Sequence, residues 1–138
     1  YNMSDYFQHW LDMEHKLESL GHTLPRIFCV NWFRKGDDGK FVWPGYGDNM
    51  RVLKWMIDRL EGQATGVDHA FGISPTYGEI TWTGLDFSEA QFNTVTSIDK
   101  AAWTQELALH AELFQQLAYH LPKELVETKL QLEKRLAA

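Results

Sequence analysis

One stretch of the chain decides how the fold is interpreted: Asn31-Trp32-Phe33-Arg34-Lys35-Gly36-Asp37-Asp38-Gly39-Lys40-Phe41-Val42-Trp43-Pro44-Gly45-Tyr46-Gly47-Asp48-Asn49. The Asp38-Gly39 pair within it is a strong local signal for a tight turn. Residues 26–33 before the turn are rich in β-branched and aromatic side chains, which is typical of a largely buried strand. The segment 41–43 is the short return. The sequence therefore predicts an aromatic β-hairpin that ends at Pro44-Gly45.

Helical periodicity predicts helices on both sides of this hairpin. The first is expected to begin at Ser4 or Asp5, whose side chains can cap free N–H groups, and to stop at Gly21. The second is expected to begin at Asp48 or Asn49 and to stop at Gly62. Its apolar face is formed by Val52, Leu53, Met56, Ile57 and Leu60.

The second half of the chain is predicted to be irregular first and then helical. Residues 63–84 contain scattered Gly, Pro and Thr, with one or two short strands at most. A short helix starts at Ser88, a long one is capped by Ser97 or Asp99, and Pro122 lies in the first turn of the last helix. The order of elements predicts a helix-rich α+β fold, with the hairpin between helices and two C-terminal helices.

The composition excludes several classes of protein. The chain has 138 residues and 44% hydrophobic residues, enough for one core and too many for a disordered chain. A net charge of -6 argues against a general nucleic-acid binder, and no apolar run is long enough to cross a membrane. The single cysteine, Cys29, is expected to be a small buried hydrophobe in a reducing, cytoplasmic setting.

The most informative side chains are four residues around the hairpin: Phe33, Phe41, Tyr46 and Asn49. A hairpin brings Phe33 near Phe41, and the Pro44-Gly45 turn can return Tyr46 toward both rings. Aromatic faces arranged in this way can hold a flat heterocycle by stacking. The amide of Asn49 carries a donor and an acceptor with which to read the edge of a purine. The same spacing also fits rings that simply form a core between the hairpin and the second helix.

Other chemical motifs are not found in the sequence. There is no phosphate-binding glycine loop ending in Gly-Lys-Ser/Thr and no complete dinucleotide fingerprint. The histidines do not have metal-ligand spacing, and no catalytic acid–base pair is evident. The cluster of Arg34, Lys35 and Lys40 fits either a contact to a phosphate tail or a solvated turn.

Two motifs resemble the C-terminal part of GTP-dependent phosphoenolpyruvate carboxykinases. They are the Asn-Trp-Phe-Arg-Lys motif at residues 31–35 and the Trp-Pro-Gly-aromatic-Gly motif at residues 43–47. The resemblance continues through Arg51-Val52-Leu53-Lys54-Trp55-Met56 and extends over essentially the whole chain. It implies that residues 1–138 are a single C-terminal segment of a larger nucleotide-binding domain.

The resemblance also implies a function. The family converts oxaloacetate and GTP to phosphoenolpyruvate, GDP and carbon dioxide in gluconeogenesis, with Mn²⁺ or Mg²⁺. By motif position, Phe33 and Tyr46 would be the stacking pair, Phe41 a further wall, and Asn49 the reader of the guanine edge. The catalytic residues and metal ligands would lie upstream, in the remainder of a monomeric parent chain. The segment alone is then expected to be inactive. The alternatives are a stand-alone guanine-binding module and an interaction module.

Overall fold

The computed structural model describes residues 2–138, which form five α-helices and one two-stranded antiparallel sheet. In chain order the elements are α1 (Met3–Ser19), α2 (Asn49–Leu60), β1 (Val67–His69), β2 (Gly72–Ser74), α3 (Glu89–Thr96), α4 (Lys100–Gln116) and α5 (Lys123–Ala137). Two 3₁₀ turns, Tyr46–Asp48 and Tyr77–Glu79, precede α2 and follow β2. The helix-rich α+β architecture is therefore confirmed, including the two C-terminal helices.

The start of α1 differs from the prediction. The side chain of Asn2 caps the helix by accepting from the backbone N–H of Ser4 at 3.0 Å. Ser4 instead lies inside the first turn, fully buried, and its hydroxyl donates to the carbonyl of Leu117 at 3.0 Å. The end of the helix is as expected, because Gly21 has a φ of 74°.

The other helix boundaries follow local rules closely. Gly62, with a φ of 75°, follows the end of α2, Ser88 caps α3, and Asp99 caps α4 by accepting from two backbone N–H groups. Asp48 occupies the cap position of α2, but its carboxylate accepts from a side chain instead of the backbone. Pro122 is itself the cap residue of α5 and not a member of its first turn.

The predicted strand over residues 26–33 is wrong. This segment is extended but belongs to no ladder, and the hairpin is reduced to one isolated bridge between Lys35 and Phe41. A strand needs a hydrogen-bonded partner, and none pairs with this segment in the described chain. Phe28 and Trp32 of this segment still pack against the core, but Cys29 is exposed instead of buried.

A regular ladder forms further along the chain, within the region predicted to be irregular with short strands. β1 pairs with β2, with Asp68 opposite Ile73. The carboxylate of Glu79 closes the following loop by accepting from the backbone N–H groups of Thr76, Gly66 and Thr65. These hydrogen bonds, led by those from Thr76 and Gly66, lower the pKa of Glu79 to about 2.

The described chain separates into two compact units. Residues 26–98 form one of them, with a core of buried Trp43, Trp55, Ala64, Ile80, Phe87 and Phe92. In α2 it is Trp55 that is buried, while Leu53, Ile57 and Leu60 of the predicted apolar face remain exposed. The other unit combines α1 with α4 and α5, which pack on each other and bury Leu107 and Leu136. None of the helices formed by residues 2–138 has the length and apolarity needed to cross a membrane.

Candidate functional site

The turn at Gly36–Gly39 folds as the sequence predicts. The N–H of Gly36 donates to the carbonyl of Lys40 at 2.9 Å, and the N–H of Val42 donates to the carbonyl of Arg34 at 2.9 Å. These bonds place Phe33 and Phe41 side by side, with ring centroids 5.7 Å apart and an interplanar angle of 64°. The expected proximity of these two rings is confirmed.

Three aromatic rings around the hairpin are open to solvent. Phe33 is 71% exposed, Phe41 56% and Tyr46 92%. Each Å² of apolar ring surface that stays in water loses about 25 cal/mol of the stabilisation that burial would give. The rings of this set therefore do not serve as core for residues 26–98. Tyr46 makes no ring contact with Phe33 or Phe41 in the described part of the chain, so the two expected stacking faces remain separate.

The backbone around Tyr46 is fixed by a glycine and an arginine. Gly45 has a φ of 133°, a conformation that L side chains rarely adopt, and it leads directly into the 3₁₀ turn that carries Tyr46. Arg51 then holds this turn from α2, with its Nε 2.9 Å from Oδ1 of Asp48. Its Nη atoms donate to the carbonyls of Thr81 and Thr83 at 2.6 and 3.1 Å.

Asn49 is the first residue of α2 and lies against the core. Its Oδ1 accepts a hydrogen bond of 2.8 Å from Nε1 of Trp43, a side chain that is only 7% exposed. The sequence placed Trp43 in the return segment of the hairpin but gave no role to its indole N–H. The contact spans six residues and crosses the Pro44-Gly45 turn, so no helical or strand periodicity reveals it.

The basic residues of the hairpin divide into two groups. Arg34 is engaged, because its guanidinium donates to the carbonyl and the hydroxyl of Ser97 at 3.0 and 2.8 Å. Lys35 lies over the ring of Phe41, with Nζ 5.7 Å from the centroid. Lys40 is exposed, with Nζ 3.9 Å from the carboxylate of Asp38. Of these three cations, Lys35 is the one that lies against an open ring.

No metal-binding group of three His, Cys, Asp or Glu side chains occurs within residues 2–138. Within these residues, no cluster of histidine and acidic side chains could ligate a divalent cation. The hairpin presents the open aromatic faces of Phe33 and Phe41, and faces of this kind can stack on a flat molecule.

The chain matches known proteins over nearly its whole length. The family model described as the phosphoenolpyruvate carboxykinase C-terminal P-loop domain matches residues 1–135. A phosphoenolpyruvate carboxykinase [GTP] of Anaeromyxobacter dehalogenans is 45% identical over the full chain. Enzymes of the same name from Corynebacterium jeikeium and Treponema pallidum are 40% and 39% identical over 100% and 99% of the chain.

These matches cover only a part of each relative. The chain spans 23% of the Anaeromyxobacter protein and 22% of the other two. The resemblance of the motifs at residues 31–35 and 43–47 is confirmed by this similarity. The chain belongs to the GTP-dependent phosphoenolpyruvate carboxykinase family and corresponds to a part of its C-terminal domain.

Proposed function

We propose that this chain is the guanine-binding C-terminal segment of a GTP-dependent phosphoenolpyruvate carboxykinase. The parent enzyme would convert oxaloacetate and GTP to phosphoenolpyruvate, GDP and carbon dioxide. The observation that carries the proposal is the exposure of three rings, Phe33, Phe41 and Tyr46, on the hairpin and the turn that follows it. Asn49 adjoins this turn, because its backbone N–H donates to the carbonyl of Tyr46. A folded domain has no packing reason to leave three large rings open around one turn.

In this proposal the guanine base binds between the exposed rings. Phe33 and Tyr46 supply the two stacking faces, and Phe41, in edge contact with Phe33, supplies a further wall. Each stack stabilises a bound base by about 1–3 kcal/mol. Asn49 reads the edge of the base from the start of α2. Lys35 and Lys40 add positive charge for the phosphates of GTP or GDP.

Phosphoryl transfer is assigned to the remainder of the parent chain. The reaction requires cationic groups and divalent metal around the transferred phosphoryl group. The described residues supply no metal-binding cluster, so Mn²⁺ or Mg²⁺ would be held by residues outside this chain. The segment alone is therefore proposed to bind nucleotide without turning it over.

The unit formed by residues 26–98 also supports a larger parent. The backbone of residues 26–30 forms no hydrogen bond in the described chain, and Ile27 is 80% exposed. The same segment borders a groove of about 660 Å³ whose opposite wall includes Trp55 and Met56 of α2. Apolar side chains and unpaired backbone groups at one place favour coverage by further chain. The remainder of the parent is the proposed partner at this surface.

The test of the proposal is the direct comparison of two nucleotides. Dissociation constants for GDP and ADP are measured by calorimetry on the longest natural protein that carries this sequence, and on residues 1–138. The proposal expects tighter binding of GDP in both, with weaker absolute affinity for the segment. Equal affinity for GDP and ADP would overturn guanine recognition. Turnover of oxaloacetate and GTP by residues 1–138 alone would overturn the assignment of catalysis to the rest of the parent.

A further inference from the structure

The carboxamide of Asn49 is held in one orientation by its hydrogen bond to Trp43. An indole nitrogen can only donate, so the atom 2.8 Å from Nε1 of Trp43 has to be the amide oxygen of Asn49. This bond turns Oδ1 toward Trp43, and the two N–H bonds of Nδ2 have no partner among residues 2–138. No other hydrogen bond is made to the carboxamide by residues 2–138.

The donor in this contact has little freedom to move. The indole of Trp43 lies in the core of residues 26–98, with ring centroids 5.5 Å from Trp32, 6.4 Å from Trp82 and 5.6 Å from Phe87. The backbone of Asn49 is also fixed, because its N–H donates to the carbonyl of Tyr46 at the start of α2. A carboxamide tied at both ends cannot turn over to exchange its oxygen for its nitrogen without losing the bond to Trp43.

This orientation has a consequence for the base that can be bound. Guanine and adenine both present an acceptor at N7, but at position 6 guanine presents an acceptor, O6, whereas adenine presents a donor, its amino group. An amide N–H directed at position 6 is satisfied by O6 of guanine and faces a second donor in adenine. A polar group that loses its partner in this way costs binding free energy.

We propose that Trp43 is a positioning residue that sets nucleotide specificity: by donating to Oδ1 of Asn49, it fixes the carboxamide so that Nδ2 is presented to position 6 of the base, and it thereby selects guanine over adenine nucleotides. The inference rests on the proposed binding of the base between Phe33 and Tyr46. It assigns a role in selectivity to a side chain that is buried in the core.

The test is the substitution Trp43→Phe in the full-length protein that carries this sequence. Phenylalanine keeps an aromatic ring in the core but has no N–H, so the carboxamide of Asn49 can turn to suit either base. The ratio of the ADP to the GDP dissociation constant is expected to fall about tenfold. A loss of core packing alone would weaken both nucleotides together and leave this ratio unchanged.

The matched control is Trp82→Phe. Trp82 belongs to the same aromatic cluster, and its Nε1 donates to the carbonyl of Tyr77 at 2.9 Å instead of to Asn49. This control loses the same atoms from the same core and is expected to keep the selectivity of the wild type. A second arm repeats Trp43→Phe in an Asn49→Ala background, where it is expected to change the ratio no further.

A variant that preserves the core gives an independent readout. Asn49→Asp keeps an oxygen for Trp43 but replaces the donor by a second acceptor, so the preference is expected to shift from GDP toward ADP. If the wild type does not prefer GDP, the proposed function itself fails. If the wild type prefers GDP and either Trp43→Phe or Asn49→Asp keeps the full preference, the role of Trp43 is refuted and guanine binding stands.

Discussion

The substitution Phe33→Ala tests whether this ring binds a ligand or stabilises the core. Truncating a fully buried phenylalanine costs about 3–5 kcal/mol of unfolding free energy. Phe33 is 71% exposed, so less than a third of that packing is present and the expected loss is about 1 kcal/mol. Nucleotide binding is affected differently, because a lost stack of about 1–3 kcal/mol weakens GDP by about five- to 150-fold.

Phe87 provides the matched comparison. It is 3% exposed, and its ring stacks on Trp82 with centroids 5.0 Å apart. Phe87→Ala is therefore expected to cost about 3–5 kcal/mol. Urea unfolding followed by tryptophan fluorescence measures the stability of both variants, and calorimetry with GDP measures binding. A loss of stability for Phe33→Ala that equals that of Phe87→Ala, with GDP affinity unchanged, would refute the division into open and core rings.

Three further predictions concern the frame around the site and its neighbours. Glu79→Gln should lower stability at neutral pH, because the folded-state pKa of about 2 lies below the ordinary value of 4.5. The difference in unfolding free energy between the variant and the wild type should shrink as the pH falls from 4.5 to about 2. Unfolding midpoints measured at a series of acid pH values test this. Gly45→Ala should cost about 1–3 kcal/mol from backbone strain alone, since an added Cβ meets nothing within 4 Å, and it should weaken GDP binding by displacing Tyr46; unchanged thermal unfolding would contradict this. Ser4→Ala should cost about 1 kcal/mol because it removes the hydroxyl's hydrogen bond to the carbonyl of Leu117, which keeps only the bond from the N–H of His120; an unchanged urea midpoint would speak against the bond from Ser4.

Features that depend on a few neighbouring residues could be predicted from the sequence. Gly21 and Gly62 end helices because they adopt positive φ, and Ser88 and Asp99 begin them because their oxygens reach nearby N–H groups. The turn that brings Phe33 beside Phe41 is equally local. These elements follow from backbone geometry over four or five residues, and the structure reproduces them.

Features that depend on distant partners could not be predicted in the same way. The composition of residues 26–33 is that of a strand, but a strand forms only where another segment supplies hydrogen bonds, and no segment within residues 2–138 pairs with it. The expected burial of Cys29 failed for the same reason. The bond between Trp43 and Asn49 depends on how a core packs around one indole, and residue spacing contains no information on that packing.

The open segment at residues 26–30 also determines how the chain behaves once it is separated from a parent. An extended backbone with free N–H and C=O groups and exposed apolar side chains is a template for strand addition by any neighbour. In a concentrated sample the nearest such neighbour is a second copy of the same chain. Residues 1–138 are then expected to form dimers or precipitate by pairing through this segment. A short covering peptide or a charged substitution at Ile27 should suppress them without altering the hairpin.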